Sequence, residues 1–315
     1  MNIALTTDAP ALALNFLRTA QNYIEPVIYK REYPDFQYRE LVPVDNSAPE
    51  WTTAIDFFSM GDDVGQAREF APDGDDIPFV DFKLDSGNSR VFMAGIGYRY
   101  NLQELAHAQT YGVRLQNDRA DAAKRKYEQF VDNVAFLGRP KLGLSGLLNT
   151  ASVVTIAAAN GAAGTPGWRT KTPDEIVADV NSVLGAVFTQ SNGIEQVDTI
   201  LLDQDTFAYI ATKRLDGTMT TTILEHIQRV NIYTIRTGRP LTIRAVFGLE
   251  TAGAGGSRRM VAYRRSPDVV KIHIPMPLRW LQAEQRLLKF EVPGIFRLGG
   301  VEFRRPGAAR YLDGI

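Results

Sequence analysis

Few residues in this chain have the type and spacing that chemistry needs. The histidines are His107, His226 and His273. The first two fall in helical pattern and the third in an alternating one, and no pair has a metal-ligand spacing such as His-Glu-x-x-His. Each is expected to be a surface or hydrogen-bonded histidine. Asp203-x-Asp205 could offer two carboxylates to Mg²⁺, but Asp205 stands where a helix begins and is expected to be its N-cap. Gly161-x-x-Gly164-x-x-Gly167 and the glycines of 252–256 lack the lysine and the strand-to-helix setting of a phosphate loop, so they are expected to be plain loops. Ser145 is followed directly by Gly146, one residue too early for a nucleophile elbow. Arg258-Arg259, Arg264-Arg265 and Arg304-Arg305 could touch phosphates, and could equally make salt bridges or subunit contacts. With no cysteine, disulfides and thiolate metal sites are excluded. No catalytic residue, cofactor or metal is expected.

Composition narrows the class further. The chain has 315 residues, 44% hydrophobic and 23% charged, with a formal net charge of -1. That balance is globular, and its near-neutral charge argues against a strong nucleic-acid binder, whose basic side chains concentrate in one patch. The charge is uneven, however. Residues 1–100 carry 16 acidic against 8 basic side chains, whereas residues 257–310 carry 12 basic against 4 acidic. The two stretches could pair within one chain or between copies, or could be ordinary solvated faces. The first residues lack the parts of a secretory signal, and no run reaches the ~20 apolar residues of a membrane span. A soluble protein made in a cytoplasm is expected.

The elements that would position any site follow from periodicity. Residues 1–50 hold Tyr23, Tyr29, Tyr33, Phe36 and Tyr38 among prolines, without helical period. An extended arm is expected, its rings covered by another surface. Residues 51–100 read as a long two-stranded hairpin, with Trp51, Ile55 and Phe57 on one side, a return strand at 79–84 and an acidic, glycine-bearing middle. An isolated hairpin is marginal in water, so it must rest on a core or a neighbour. From Leu102 to Leu137 apolar residues recur at helical spacing with no proline before Pro140. This predicts a helix of about thirty-five residues, ~50 Å long. Residues 150–260 read as a mixed α/β lobe. A capping box at Thr172-Pro173-Asp174-Glu175 opens a helix to about Gln190, and another at Thr222 opens one to about Arg229. Strands are expected at 198–202, 232–235 and 241–247, with a helix from Asp205 to Lys213. Alternation after residue 270 predicts strands near 270–274, 288–292 and 301–304.

Taken in order, these parts resemble the Hong Kong 97-like coat proteins of tailed bacteriophages. Two stretches carry the resemblance beyond the order. One is Val134-Ala135-Phe136-Leu137-Gly138 followed by Gly146-Leu147-Leu148-Asn149. The other is Val269 through Leu278, followed by Phe290-Glu291-Val292-Pro293 and Gly299 through Pro306. Both are similar to a coat family once catalogued as a domain of unknown function. The resemblance implies an α+β capsid fold: an N-terminal arm (1–50), an extended loop (51–100), a peripheral domain with a spine helix (101–150), an axial domain (151–260), and strands returning to the peripheral domain (261–315).

The resemblance also implies a job. Copies would self-assemble as pentamers and hexamers into an icosahedral shell around DNA held non-specifically, in the virion, after assembly in a bacterial cytoplasm. A portal and possibly a decoration protein would be partners, but no membrane would. Only a short stretch precedes the arm, so a separate scaffold is expected. The inter-subunit contacts would come from Trp51, Phe57, Phe79, Phe82 and Lys83 on the loop and from Tyr29, Tyr33 and Phe36 on the arm. Some relatives cross-link through a loop lysine; Lys83 is the single lysine of 51–90, and no partner for it is evident. The alternatives are an encapsulin-like nanocompartment shell, told apart by its protein cargo, and a minor virion protein, told apart by copy number. An enzyme would need convergent polar groups in a pocket.

Overall fold

A computed structural model describes residues 36–64, 79, 81–104, 115–216 and 220–315. The elements in chain order are α1 (Tyr38–Leu41), β1 (Val44–Asp45), β2 (Ala54–Val64), β3 (Asp81–Asn101), α2 (Leu115–Leu137), β4 (Val154–Ala157), α3 (Pro173–Gln190), β5 (Thr199–Leu202), α4 (Gln204–Thr212), α5 (Ile223–Arg229), α6 (Ile232–Thr237), β6 (Thr242–Ala245), β7 (Arg259–Tyr263), β8 (Val270–His273), β9 (Met276–Trp280), β10 (Glu284–Arg286), β11 (Lys289–Gly299), β12 (Val301–Phe303) and β13 (Ala309–Asp313).

Three sheets organise them. In the first, β3 is shared. Its first half pairs antiparallel with β2, and its second half pairs with β11 from Val91 opposite Gly299 to Asn101 opposite Lys289. Strands β9 and β10 flank the other side of β11. Helix α2 lies on this sheet through aromatic rings: Tyr127 and Phe130 meet Phe296 edge-on at 4.8 and 5.5 Å, a favourable geometry. The second sheet is small. Strand β1 runs parallel to β8, and β12 runs antiparallel on its other side. The third, in the order β4-β13-β7-β5-β6, is the sheet of the α/β lobe.

The three central strands of the lobe sheet, β13, β7 and β5, are wet on neither face. Along β5, Leu201 joins a core built around α2, while Ile200 and Leu202 join a second core under α3. Strands β7 and β13 divide in the same way: Val261, Tyr263 and Tyr311 go to the first core, Met260, Ala262 and Leu312 to the second. Period-two alternation between two apolar faces is why these strands read as continuous hydrophobic runs. Each fully buried Leu or Ile contributes roughly 1.5–3 kcal/mol.

Helix starts follow the side chains that can satisfy free backbone N–H groups. The Glu175 amide donates to the Thr172 hydroxyl (3.4 Å), and the Thr172 amide donates to the Glu175 carboxylate (2.8 Å), closing the expected box at α3. Thr222 caps α5 by accepting from the Glu225 amide. The cap of α4 is one turn of reasoning off. Asp203, not Asp205, accepts from the Thr206 amide (3.1 Å) and has the extended backbone of a cap, and Asp205 sits inside the first turn. The strand expected at 232–235 is instead α6. The Asn231 side chain accepts from the Thr234 amide at 2.9 Å, and Gly238, in the left-handed region at φ 69°, ends the helix.

Strand β3 runs to Asn101, residues 102–104 are helical where the helix is expected to begin, and α2 is described from Leu115 to Leu137. Tyr98 and Tyr100 obey the strand period: they share a face, 5.7 Å apart, with Tyr98 edge-on to Trp280 at 5.1 Å. Residues 36–45, assigned to the arm by sequence, pack on the body. Tyr38, Leu41 and Val42 are buried, Asp132 of α2 accepts from the amides of Gln37 and Tyr38 (both 3.1 Å), and the Tyr263 hydroxyl donates to the Leu41 carbonyl (2.7 Å).

Candidate functional site

The hairpin of β2 and β3 carries three of the contact residues singled out from sequence, Phe57, Phe82 and Lys83. Phe57 lies half-buried with its ring across Gly87, where a Cβ would fall inside the ring's van der Waals envelope. The Arg304 guanidinium stacks over the same ring, 5.3 Å from its centroid. Phe57 is thus held by its own chain. Its neighbour Phe58 is 70% exposed, as alternation requires of the next residue in a strand. Sequence reasoning passed it over, although the adjacent Phe-Phe pair was the signal: one ring in, one ring out. Trp51 lies in the turn before β2, 64% exposed, with the Arg297 guanidinium 5.8 Å from its ring centroid. Phe79 is 88% exposed. Phe36 packs partly against the first core. Phe82 and Lys83 lie in β3, but their side chains, with Tyr29, Tyr33 and His107, fall outside the described residues.

The charged residues are mostly spent inside the chain. Arg259 grips Asp313 through two hydrogen bonds (2.6 and 2.9 Å) and donates a third to the Leu148 carbonyl. Arg258 reaches Asp203 (3.2 Å) and Asp205 (3.1 Å). Arg264 and Arg305 share Glu195. The arginine pairs therefore make ion pairs, which is one of their two expected roles. His273 is buried, its Nε2 2.9 Å from Glu302, which also accepts from Arg304. Burial pushes the Glu302 carboxyl up, but the bonds from His273 and Arg304 outweigh it and hold it below the usual range. Asp45 pairs with Lys271 in the same sheet, one contact between the acidic front and the basic back. His226 lies in α5. Among the described residues, no three His, Asp or Glu side chains gather as a metal site. The Ser145 hydroxyl donates to the Val301 carbonyl (3.4 Å), a structural contact.

The two stretches that carry the coat-protein resemblance meet in space. Gly138 ends α2 in the left-handed region at φ 66°. The chain then folds back so that the amides of Leu147 and Leu148 donate to the carbonyls of Ala135 and Phe136 (2.8 and 3.1 Å). Asn149 completes the cap: its Nδ2 donates to the Leu137 carbonyl, and its Oδ1 accepts from the Gly146 amide, both at 2.8 Å. The second stretch plugs into this return. The Val301 amide donates to the Ser145 carbonyl (3.0 Å), and a Cβ at Gly300 would lie only 2.9 Å from that same oxygen. Each residue of the motif thus satisfies a helix end or permits a close backbone approach.

A long shared strand under a spine helix, a lobe sheet between two cores and a hairpin that leaves Phe58 in water make up a fold of the Hong Kong 97-like class. The chain belongs to the major capsid protein family, whose sequence model matches residues 65–315. Solved capsids share its fold. The capsid of Myoviridae phage XM1 superposes with a TM-score of 0.76 at 19% identity, covering 94% of this chain and 98% of that one. A structure described as Microbacterium phage Oxtober96 gives 0.63 at 12% identity over 98% and 99%. The capsid of an empty GTA particle gives 0.59 at 13% over 98% and 99%. No curated protein sequence matches. The protein is a structural subunit of the capsid shell, and its place is the virion.

Proposed function

We propose that the β2–β3 hairpin, with the turn before it, is the surface by which one copy grips the next in a shell of pentamers and hexamers. The observation that carries this is the set of large rings left in water: Phe58, Trp51 and Phe79. Burying such rings at about 25 cal/mol per Å² rewards any arrangement that covers them, and among the described residues β2 has no strand on its outer edge. Phe82 and Lys83 extend the same surface, with Phe57 supporting it from beneath. Tyr29, Tyr33 and the exposed part of Phe36 serve the arm in the same way. Residues 1–50 act as the arm, 51–100 as the extended loop, 101–150 with 261–315 as the peripheral domain, and 151–260 as the axial domain. Assembly in the host cytoplasm on a separate scaffold, with a portal, a decoration protein and DNA packed without sequence preference, completes the role.

Removing residues 60–76 tests the hairpin. The change keeps residues 54–59 opposite 85–90 and leaves 77–84 to close the turn. The subunit should fold with unchanged circular dichroism and melting temperature, and negative-stain microscopy should find no shells. Shells at normal yield and stability would overturn the proposal.

A further inference from the structure

We propose that Arg297, with Trp51 and Met93 around it, is a socket for a carboxylate from the acidic segment 61–78 of a second copy; this rests on the hairpin of one copy lying across its neighbour. Arg297 lies in β11 between Phe296 and Leu298, which both pack into the first core. Strand alternation therefore points Arg297 to the opposite face of the sheet. Its cross-strand partners there are Met276 and Met93, the first buried and the second half in water.

The side chain is out of balance where it sits. Arg297 is 7% exposed, yet among the described residues no carboxylate pairs with it, and its Nε is buried with no hydrogen-bond partner. The other buried lysine and arginine among those residues each have a carboxylate: Lys171 has Asp179 and Arg259 has Asp313. A guanidinium cannot discharge itself by losing a proton, and burying it without a partner is costly. The Trp51 ring, itself largely in water, lies over the guanidinium. Stacking on an indole leaves the guanidinium edge open, and that edge suits a carboxylate.

The surrounding charge selects the partner. Arg279, across β9 from Ile295, and Arg99, opposite Glu291, belong to the same face. Arg286 and Lys289, opposite each other, share it too, and the acidic groups there are Glu50, 3.3 Å from Arg279, and the opposed pair Glu284 and Glu291. Five cations against three glutamates leave a basic surface around an apolar patch. Residues 61–78 carry Asp62, Asp63, Glu69, Asp73, Asp75 and Asp76 against Arg68 alone, the matching sign. The carboxylate must come from another copy. Val64 and Asp81 pair at the far end of the hairpin, and Met93, opposite Arg297, is ~40 Å further along β3 at ~3.3 Å per residue.

The test compares Arg297→Met, the triple change Asp73→Asn, Asp75→Asn and Asp76→Asn, and the two combined, in the full chain. Melting of the unassembled subunit and shell yield by sedimentation are measured for each. Arg297→Met should leave the subunit's melting temperature unchanged or higher and cut shell yield about tenfold. The triple change should act alike, and the combination should be no worse than either alone. An Arg297→Met subunit that melts lower in proportion to its lost shells would make Arg297 an internal structural residue and overturn the proposal. Effects that multiply in the combined variant would also overturn it, because Arg297 would then have a different partner, such as DNA phosphate. If shells form without residues 60–76, the hairpin itself fails; if they do not, yet the two changes multiply, only the socket fails.

Discussion

Strands β5 and β2 come from one chain and treat water in opposite ways. All four residues of β5 are buried, shared between two cores by alternation. Among the described residues strand β2 pairs with β3 alone, and it leaves Phe58 in water. Strand β5 closes both its faces within one chain, as a subunit must to exist before assembly, although Ile194, Ile235 and Phe247 stay exposed elsewhere on the lobe. The hairpin keeps unsatisfied surface in reserve, as a subunit must to assemble at all. Removing a side chain from the first region should therefore cost the fold, and removing one from the second should cost the shell. Solitary exposed rings are normal on a protein surface. What marks the hairpin is that Phe58 sits on it, with Trp51 and Phe79 beside it, and that among the described residues no strand covers the outer edge of β2.

That contrast can be broken at several points. Asp313→Ala strands the buried Arg259 charge and should destabilise the subunit by ~3–5 kcal/mol, read from urea unfolding. Ile200→Ala opens a cavity in the second core and should cost ~2–5 kcal/mol by the same measurement. Thr172→Ala removes half of the capping box and should cost about 1 kcal/mol. Acid should act at the β1 tether. Burial pushes the Asp45 carboxyl up, but hydrogen bonds from Lys271 and Ser47 outweigh it and hold it below the ordinary range. A depressed carboxylate contributes stability that is full above its unfolded value of about 3.9 and is lost as pH falls through the folded value. Acid-unfolding curves followed by circular dichroism should show that loss below about pH 4, and Asp45→Asn should flatten it. Smallest of all, Phe58→Ala should change the subunit by no more than ~0.5 kcal/mol while lowering the midpoint at which shells dissociate. A Phe58→Ala subunit as damaged as the Ile200→Ala one would erase the distinction between the two regions.

How far the sequence revealed this depends on which residues set each element. Helix α3 was legible to both ends because Thr172, Pro173 and Glu175 fix its start by local bonds alone. Of the lobe sheet, β5 and β6 were legible as apolar runs, whereas β7 and β13, which join it from later in the chain, were not anticipated. Helix α6 was misread because Ile232, Tyr233 and Ile235 suit a strand, and the decisive group was the Asn231 side chain before them. Asp203 and Asp205 are chemically equivalent in sequence, and only the position of the Thr206 amide chooses between them. The long reach of β3 was hidden by Gly87, Gly95 and Gly97, which interrupt its alternation. At Gly87 the interruption is what lets the Phe57 ring lie across the strand. Of the candidate contacts, Trp51 and Phe79 are exposed where exposure was expected, Phe57 is held by its own chain, and Phe58 was missed. Arg297 was one basic residue among many until its neighbours in three dimensions showed that it alone of the buried cations lacks a carboxylate among the described residues.

Hydrogen exchange on the unassembled subunit and on the assembled shell tests the central claim most directly. Amides of β5 and β7 should be equally protected in both states, because every residue of the two strands is buried within one chain. Amides along β2 and around Trp51 should exchange fast in the subunit and slowly in the shell. Equal protection of β2 in the two states would mean that the hairpin buries nothing on assembly, and would contradict the account.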